Sequence, residues 1–140
     1  MKYRSFALVA GASLGLISCS DSEVACSSET ARRLLVDIIK DDLKKDQNIQ
    51  YGFNIDGSKY TVSGIRTKGD IKSGKSCGAT LDMEFELTDQ LKQIRQQDPA
   101  SFQSLISNNY REFNNTKRQY NLQYTVEKTD DGQIYVEIQF

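Results

Sequence analysis

Residues 69–76 give the best match in this chain to a motif with known chemistry. The run Gly69-Asp70-Ile71-Lys72-Ser73-Gly74-Lys75-Ser76 fits the phosphate-loop pattern G-x-x-x-x-G-K-[ST]. That loop works between a strand and a helix, where its backbone amides point at phosphate groups. The residues after Ser76 alternate with a period of two, which predicts a strand instead of the required helix. We therefore expect a flexible turn with solvated lysines and no nucleotide site.

Carboxylates on one predicted sheet face are the next candidates for chemistry. They are Asp82, Glu84, Glu86, Glu127 and Glu137. A pair of carboxyl groups can act as acid and base in a glycosidase. However, the chain has no histidine, so it lacks the commonest general base and the commonest metal ligand. We predict that the protein is not an enzyme and uses no metal or cofactor.

The residues at the amino terminus predict how the chain is anchored to a membrane. Lys2 and Arg4 precede an apolar run over residues 6–17, which is shorter than the 18 or so residues of a transmembrane helix and is typical of a signal peptide. The end of this run, Leu16-Ile17-Ser18-Cys19, resembles the lipobox of bacterial lipoproteins. The resemblance implies cleavage before Cys19 and a lipid on Cys19. By similarity to enterobacterial lipoproteins, Ser20 implies sorting to the outer membrane; the alternative is a secretory peptide cut elsewhere.

The lipobox interpretation divides the chain into a signal peptide over residues 1–18, a tether over residues 19–25 and one domain over residues 26–140. Without Lys2 and Arg4 the chain has 16 basic and 19 acidic residues, a net charge of about −3. Nucleic-acid binding requires a basic patch, so this balance predicts no nucleic-acid partner.

Two cysteines remain once Cys19 is assigned to the lipid. The compartment beyond the inner membrane is oxidising, so Cys26 and Cys77 are predicted to form a disulfide. Two separate buried thiols are the alternative.

Apolar periodicity predicts the secondary structure. An i, i+3, i+4, i+7 stripe from Ala31 to Leu43 predicts a helix over residues 29–45. Alternation predicts strands, of which 77–87 is the clearest and 60–67 carries a bulge at Gly64. Turns are expected over residues 56–58 and 130–132, with a polar connection over residues 68–75. The predicted strands are 49–55, 60–67, 77–87, 120–127 and 134–140.

Residues 88–117 interrupt the strands and are predicted to form one broken helix or two short helices, with Asp98 as cap and Pro99 at the first helical position. The order predicts an α+β domain: an antiparallel sheet of four or five strands, the N-terminal helix packed on one face, and a helical insertion before the C-terminal hairpin. Cystatin-like and NTF2-like folds share this layout.

Short runs over the last three-fifths of the chain are similar to a layout in small Gram-negative envelope lipoproteins of unassigned role. The similar runs are Ile65-Arg66-Thr67, Cys77-Gly78-Ala79, Tyr124-Thr125-Val126-Glu127 and Asp130-Asp131-Gly132. The resemblance implies a fold and no activity. Three hypotheses follow: a lipid-anchored protein that binds another envelope protein (immunity, exclusion, inhibition or assembly), a small-ligand carrier, and an envelope hydrolase that uses Glu84 and Glu86.

A partner surface is predicted on the wet face of the sheet. Tyr135 offers an apolar ring with a polar tip among the carboxylates Glu84, Glu127 and Glu137, which would favour a basic partner. The alternative is that Tyr135 stabilises cross-strand pairing.

We expect Cys19→Ser to release the chain from the membrane without unfolding it, because the predicted domain begins beyond the tether. Labelled fatty acid should enter the wild-type chain and not the variant. Equal labelling of both chains would contradict the lipobox and the predicted location.

Overall fold

Four antiparallel strands form one sheet in a computed structural model that describes residues 24–110 and 116–139. The helices are α1 (Glu29–Leu43), α2 (Gln47–Gly52), α3 (Asp89–Gln97) and α4 (Pro99–Asn109). The strands are β1 (Phe53–Ile71), β2 (Gly74–Leu87), β3 (Lys117–Lys128) and β4 (Ile134–Gln139). Strand order follows the chain, β1-β2-β3-β4. The predicted α+β class and antiparallel sheet are confirmed.

Strand β2 determines which face of the sheet is buried. Its buried side chains are Cys77, Ala79, Leu81, Met83, Phe85 and Leu87, all at most 5% exposed. In the β2–β3 ladder, Cys77 lies opposite Tyr124 and Leu81 lies opposite Tyr120. Opposed residues in a ladder share a face. The face that carries Leu81 and Tyr124 is therefore called the buried face, and the other the outer face.

A first cluster of buried residues surrounds the disulfide. The structure bonds Cys26 to Cys77, as predicted, with the Cα atoms 5.7 Å apart. The Tyr124 hydroxyl donates a 2.9 Å hydrogen bond to the Cys26 carbonyl inside this cluster. The members come from the segment just before α1, from α1 itself and from β2, β3 and β4. They are Cys26, Ala31, Leu35, Cys77, Ala79, Tyr124, Val126, Val136 and Ile138.

A second cluster of buried residues lies at the other end of β2. Its members are Phe53, Ile55, Leu81, Met83, Phe85, Leu87, Leu91 and Tyr110. The Tyr110 ring meets the edge of Phe53 at 5.2 Å between centroids, and its hydroxyl donates to the Asn48 carbonyl at 2.7 Å. A Cβ on Gly52 would approach Tyr110 Cζ to 2.7 Å, so this ring needs a glycine beneath it.

The structure places a helix where the sequence predicted the start of a strand. Ile49 and Tyr51 lie in α2, and the strand begins at Phe53. The Asp46 side chain accepts hydrogen bonds from the amides of Asn48 and Ile49, which caps the helix. The capped helix thus replaces the predicted strand at Ile49 and Tyr51, whereas Phe53 and Ile55 lie in the strand as predicted. Helix α1 matches its predicted start, with Ser28 as cap, and ends at Leu43.

Residues 56–58 form an irregularity inside β1 and not the predicted turn. The register shifts between Asn54 and Lys59. Ser58 Oγ donates to the Asn54 carbonyl at 2.7 Å and accepts from the Glu86 amide at 3.0 Å, so a side chain replaces the lost ladder contacts. The predicted bulge at Gly64 is confirmed by a register shift between Ser63 and Arg66 and a φ of +57°.

The predicted connection over residues 68–75 is mostly strand. Strand β1 continues to Ile71 and β2 begins at Gly74, so the two form a hairpin. Gly74 permits close approach of β3, because a Cβ there would come within 1.9 Å of the Val126 carbonyl oxygen. The prediction was wrong because these residues occupy the largely exposed end of the β1–β2 ladder, where few side chains are buried and no alternation of apolar residues marks the strands.

The two-helix form of the insertion is present as α3 and α4. Asp98 caps α4 through the Ser101 amide at 3.0 Å, with Pro99 at the start of the helix, as predicted. Phe113 and Asn114-Asn115, which entered the prediction, lie outside the described residues. The C-terminal hairpin is confirmed as β3 and β4, and Gly132 in its turn has a φ of +85°.

Replacing Cys77 by Ala should lower the free energy of unfolding by about 2–4 kcal/mol and the melting temperature by several degrees. Cys26→Ala should have a similar effect, and the double variant should be no less stable than the weaker single variant. Thermal unfolding of exported protein measures all three. Mass spectrometry that finds two free thiols in the wild-type chain would contradict this prediction.

Candidate functional site

The phosphate-loop match lies in the β1–β2 hairpin. Lys75 pairs with Asp70 across this hairpin, and the Ser73 hydroxyl donates to the Glu127 carboxylate. Strand β2 follows the motif where a phosphate loop would need a helix. The local geometry therefore lacks the helix N-terminus that cradles phosphate.

The structure divides the predicted partner surface into two distant parts. Glu127 lies opposite Tyr135 in the β3–β4 ladder, and Glu137 lies opposite Thr125, so these residues share one end of the outer face. Glu84 lies opposite Lys117, whereas Glu127 lies opposite Gly74. Ten positions along β2 separate the two pairs, roughly 33 Å at about 3.3 Å per residue. Glu84 therefore cannot act beside Tyr135.

The outer face carries both signs of charge. Lys117 Nζ lies 3.7 Å from a Glu84 oxygen, and both side chains are more than half exposed. The stems of Arg66 and Lys68 lie over Gly78, where a Cβ would meet Lys68 Cε at 3.0 Å. Lysine and arginine thus lie among the predicted carboxylates, and the face is less acidic than the sequence suggested. Tyr135 itself is 53% exposed.

The carboxylates assigned to the hydrolase hypothesis each lie beside a lysine. Glu86 pairs with Lys92 at 2.8 Å, and Lys92 also approaches Asp89 at 3.4 Å. These groups line an open polar cleft of about 660 Å³, together with the Lys44–Asp56 ion pair at 2.8 Å. Hydrogen bonding to Glu86 raises the pKa of Lys92. Each of the three carboxylates that line the cleft therefore lies beside a lysine.

An apolar groove lies between α1 and the buried face of the sheet. It encloses about 440 Å³. Its lining residues are Ile39, Asp42, Leu43, Leu81, Met83, Tyr120, Asn121, Leu122, Gln123, Ile138 and Gln139. Members of both buried clusters, such as Leu81 and Ile138, appear in this lining. The groove therefore lies where the two clusters meet.

One wall of the groove is the first half of β3, which has a single neighbouring strand among the described residues. Strand β4 pairs with β3 only from Gln123 to Lys128. Over residues 117–122, here called the open edge, β3 is paired with β2 on one side and with no other strand of the described chain. Tyr120 and Leu122 of the open edge are partly buried against the second cluster. The open edge thus brings two partly buried apolar side chains to the groove.

Arg118 and Lys117 give the open edge a positive end. The Arg118 guanidinium lies 4.5 Å from the centre of the Tyr120 ring, within cation–π range. Asp42 lies on the helical side of the groove and pairs at 3.2 Å with Lys45, which lies just beyond the end of α1. The lining is mainly apolar, with polar side chains at Asp42, Asn121, Gln123 and Gln139.

Sequence reasoning missed this groove. The helical side of the groove needed the packing of α1, which spacing alone does not specify.

No family model, curated protein or solved structure matches this chain. Within residues 24–110 and 116–139, no helix is long and apolar enough to span a membrane. The same described residues contain no group of three or more carboxylates, cysteines or histidines placed to hold a metal ion. Cys19 lies outside the described residues.

Acid should weaken the contact that joins α1 to β1 beside the polar cleft. The hydrogen bond from Lys44 lowers the pKa of Asp56, so the unfolded chain binds a proton more readily than the folded chain. The stability from this pair is present above the unfolded pKa and is lost as pH falls through the folded pKa. Asp56→Asn should therefore lower the melting temperature at neutral pH and have less effect in acid. Thermal unfolding across pH measures this, with Asp130→Asn as an exposed control; an equal loss at every pH would contradict it.

Proposed function

We propose that the protein is an outer-membrane lipoprotein that binds another envelope protein and is not an enzyme. The lipobox Leu16-Ile17-Ser18-Cys19 supports a lipid anchor on Cys19, with the domain facing the periplasm or the cell surface. The Cys26–Cys77 disulfide fits an oxidising compartment. Immunity to a toxin, exclusion, inhibition and assembly of a surface complex all fit a tethered binding domain.

The observation that carries this proposal is the groove beside the open edge. An apolar groove at the surface is a feature that proteins use to recognise other chains. Tyr120 supplies a partly buried ring there, and aromatic anchors contribute much of the energy at protein interfaces. The outer face around Tyr135 is the rival surface, and its charges are mixed.

We also propose the finer fold assignment, a cystatin-like or NTF2-like layout in which α1 covers the buried face. Ala31 and Leu35 of α1 share the first cluster with residues of β2, β3 and β4, which supports this arrangement. In such a layout the groove lies under the C-terminal half of α1, where Ile39 and Leu43 face the sheet. The insertion α3–α4 then covers the other end through the second cluster.

A small apolar ligand is the second candidate for the groove. Its volume of about 440 Å³ lies in the range of small-molecule sites, about 300–1,000 Å³. Leu81, Met83 and Ile138 provide an apolar lining. A ligand carrier would release an apolar compound on extraction of the purified protein, whereas a protein-binding groove would not.

Asp42→Arg should reduce recovery of the partner, because a larger side chain at the rim obstructs the groove. Asp41→Arg is the matched control, since Asp41 is an exposed neighbour on the same helix with the same charge change and no part in the groove lining. The measurement is the amount of cross-linked partner purified with the full, membrane-anchored chain.

Tyr135→Ala tests the rival surface in the same assay. If the groove is the binding surface, this variant should leave recovery unchanged. A loss of binding with Tyr135→Ala, together with normal recovery by Asp42→Arg, would place the partner on the outer face and contradict the groove.

A further inference from the structure

We propose that a second copy of this chain packs on the outer face of the sheet around Tyr135. The two sheets would stack face to face about a twofold axis that runs parallel to the strands. The groove lies on the buried face, so this dimer goes beyond the proposed function and leaves the groove of each copy uncovered.

Paired residues across the four strands define two rows at this end of the outer face. In the order β1 to β4, one row holds Ile71, Gly74, Glu127 and Tyr135, and the next holds Gly69, Ser76, Thr125 and Glu137. Opposed residues in a ladder share a face, so each row crosses the same surface from one edge of the sheet to the other.

The β1 edge of these rows carries two adjacent cations. The side chains of Arg66 and Lys68 both lie over Gly78, where a Cβ would come within 3.4 Å of Arg66 Nε and 3.0 Å of Lys68 Cε. Within residues 24–110 and 116–139, neither cation forms an ion pair. Like charges this close repel each other, so an approaching carboxylate would be attracted to this edge.

The β4 edge carries the opposite charge. Glu137 is exposed and forms no ion pair with any residue that the structure describes. Tyr135, on the same face two residues earlier, is 53% exposed. Three strand spacings of about 4.7–4.9 Å, roughly 14 Å in all, separate the backbone of β1 from that of β4. The charges of the two edges therefore lie too far apart to pair within one copy.

A twofold axis parallel to the strands and between β2 and β3 brings the two edges together. This rotation keeps each residue at its level along the strands and places β1 of one copy over β4 of the other. Lys68 then lies near Glu137 of the second copy, and Ile71 lies near Tyr135 of the second copy. In an interface with twofold symmetry each contact occurs twice, so the face is complementary to itself.

The middle of the face provides room for this packing. The same rotation places β2 of one copy over β3 of the other, so that Gly74 faces Glu127 and Ser76 faces Thr125. A residue without a side chain thus lies opposite the one long side chain in the middle of these rows. Two aligned sheets can then approach to the usual spacing of about 10 Å.

A twofold axis across the strands fits less well. It would place the cationic β1 edge of one copy over the same edge of the other, which is unfavourable. The direction of the anchors agrees, in a step that rests on the proposed function. Cys26 is bonded to Cys77 at the Tyr135 end of the strands, and Cys19 precedes it. With the axis parallel to the strands, both copies therefore direct their lipid anchors toward the same membrane.

The face is polar, so we expect a reversible dimer that is weaker than an obligate one. Two chains anchored in one membrane have a raised effective concentration, which compensates for a moderate affinity.

Charge reversal tests the dimer with the full chain in detergent micelles. Lys68→Glu and Glu137→Lys should each weaken dimerisation at least about tenfold, because each places like charges opposite each other twice in the dimer. Lys45→Glu is the matched control, since Lys45 is an exposed lysine just beyond the end of α1 and away from the outer face. Sedimentation equilibrium measures the Kd of each chain.

An equimolar mixture of the Lys68→Glu and Glu137→Lys chains should restore the dimer. In the mixed dimer the two substituted side chains face each other with opposite charge, and so do the two native ones. Chains that had failed to fold could not recover in this way, so the mixture separates a lost contact from lost structure. Added salt should weaken both the wild-type dimer and the mixed dimer.

Three results would overturn the dimer: a monomeric wild-type chain, an equal loss with Lys45→Glu, or a mixture that associates no better than either single variant. If the wild-type chain were monomeric and Lys68→Glu reduced recovery of the cross-linked partner, the outer face would bind a different protein and the second copy would be wrong. Asp42→Arg reports on the groove separately. The protein-binding function can therefore stand when the dimer fails, and the dimer can stand when the groove fails.

Discussion

The alternation along β2 is the constraint on which the rest of the structure depends. This strand pairs with β1 on one side and β3 on the other, and its six buried side chains all lie on one face. A shift of the strand register by one residue would move all six side chains from the buried face to the outer face. The ladder then determines the faces of its neighbours, because Tyr124 must lie with Cys77 and Tyr120 with Leu81. This register therefore also determines where the groove and the open edge lie in the sheet.

At each end of the buried face, a tyrosine hydroxyl donates a hydrogen bond to a backbone carbonyl. Tyr124 reaches the Cys26 carbonyl beside the disulfide, and Tyr110 reaches the Asn48 carbonyl beside α2. Burial raises the pKa of both phenols, which keeps them protonated as donors. Between these ends, Ile39, Leu43, Tyr120 and Leu122 remain partly buried beside the groove, above the buried side chains of Leu81 and Met83.

The sequence predicted those parts of the fold that a single period or cap determines. Helix α1, the strand around Leu81, the Asp98 cap and the terminal hairpin all follow from local patterns. The failures occurred where a local signal had a competitor. Asp46 caps a short helix within an alternating run. The Ser58 hydroxyl forms hydrogen bonds with backbone groups of β1 and β2 where Asp56-Gly57-Ser58 suggested a turn.

The predicted partner surface failed in part for a different reason. Alternation places Glu84 and Glu127 on the same face, but it carries no information about distance along a strand until the register is known. The register puts them at opposite ends of β2 and sets Lys117 beside Glu84. The groove could not be predicted at all from one strand, since its lining comes from α1, β2, β3 and β4 together.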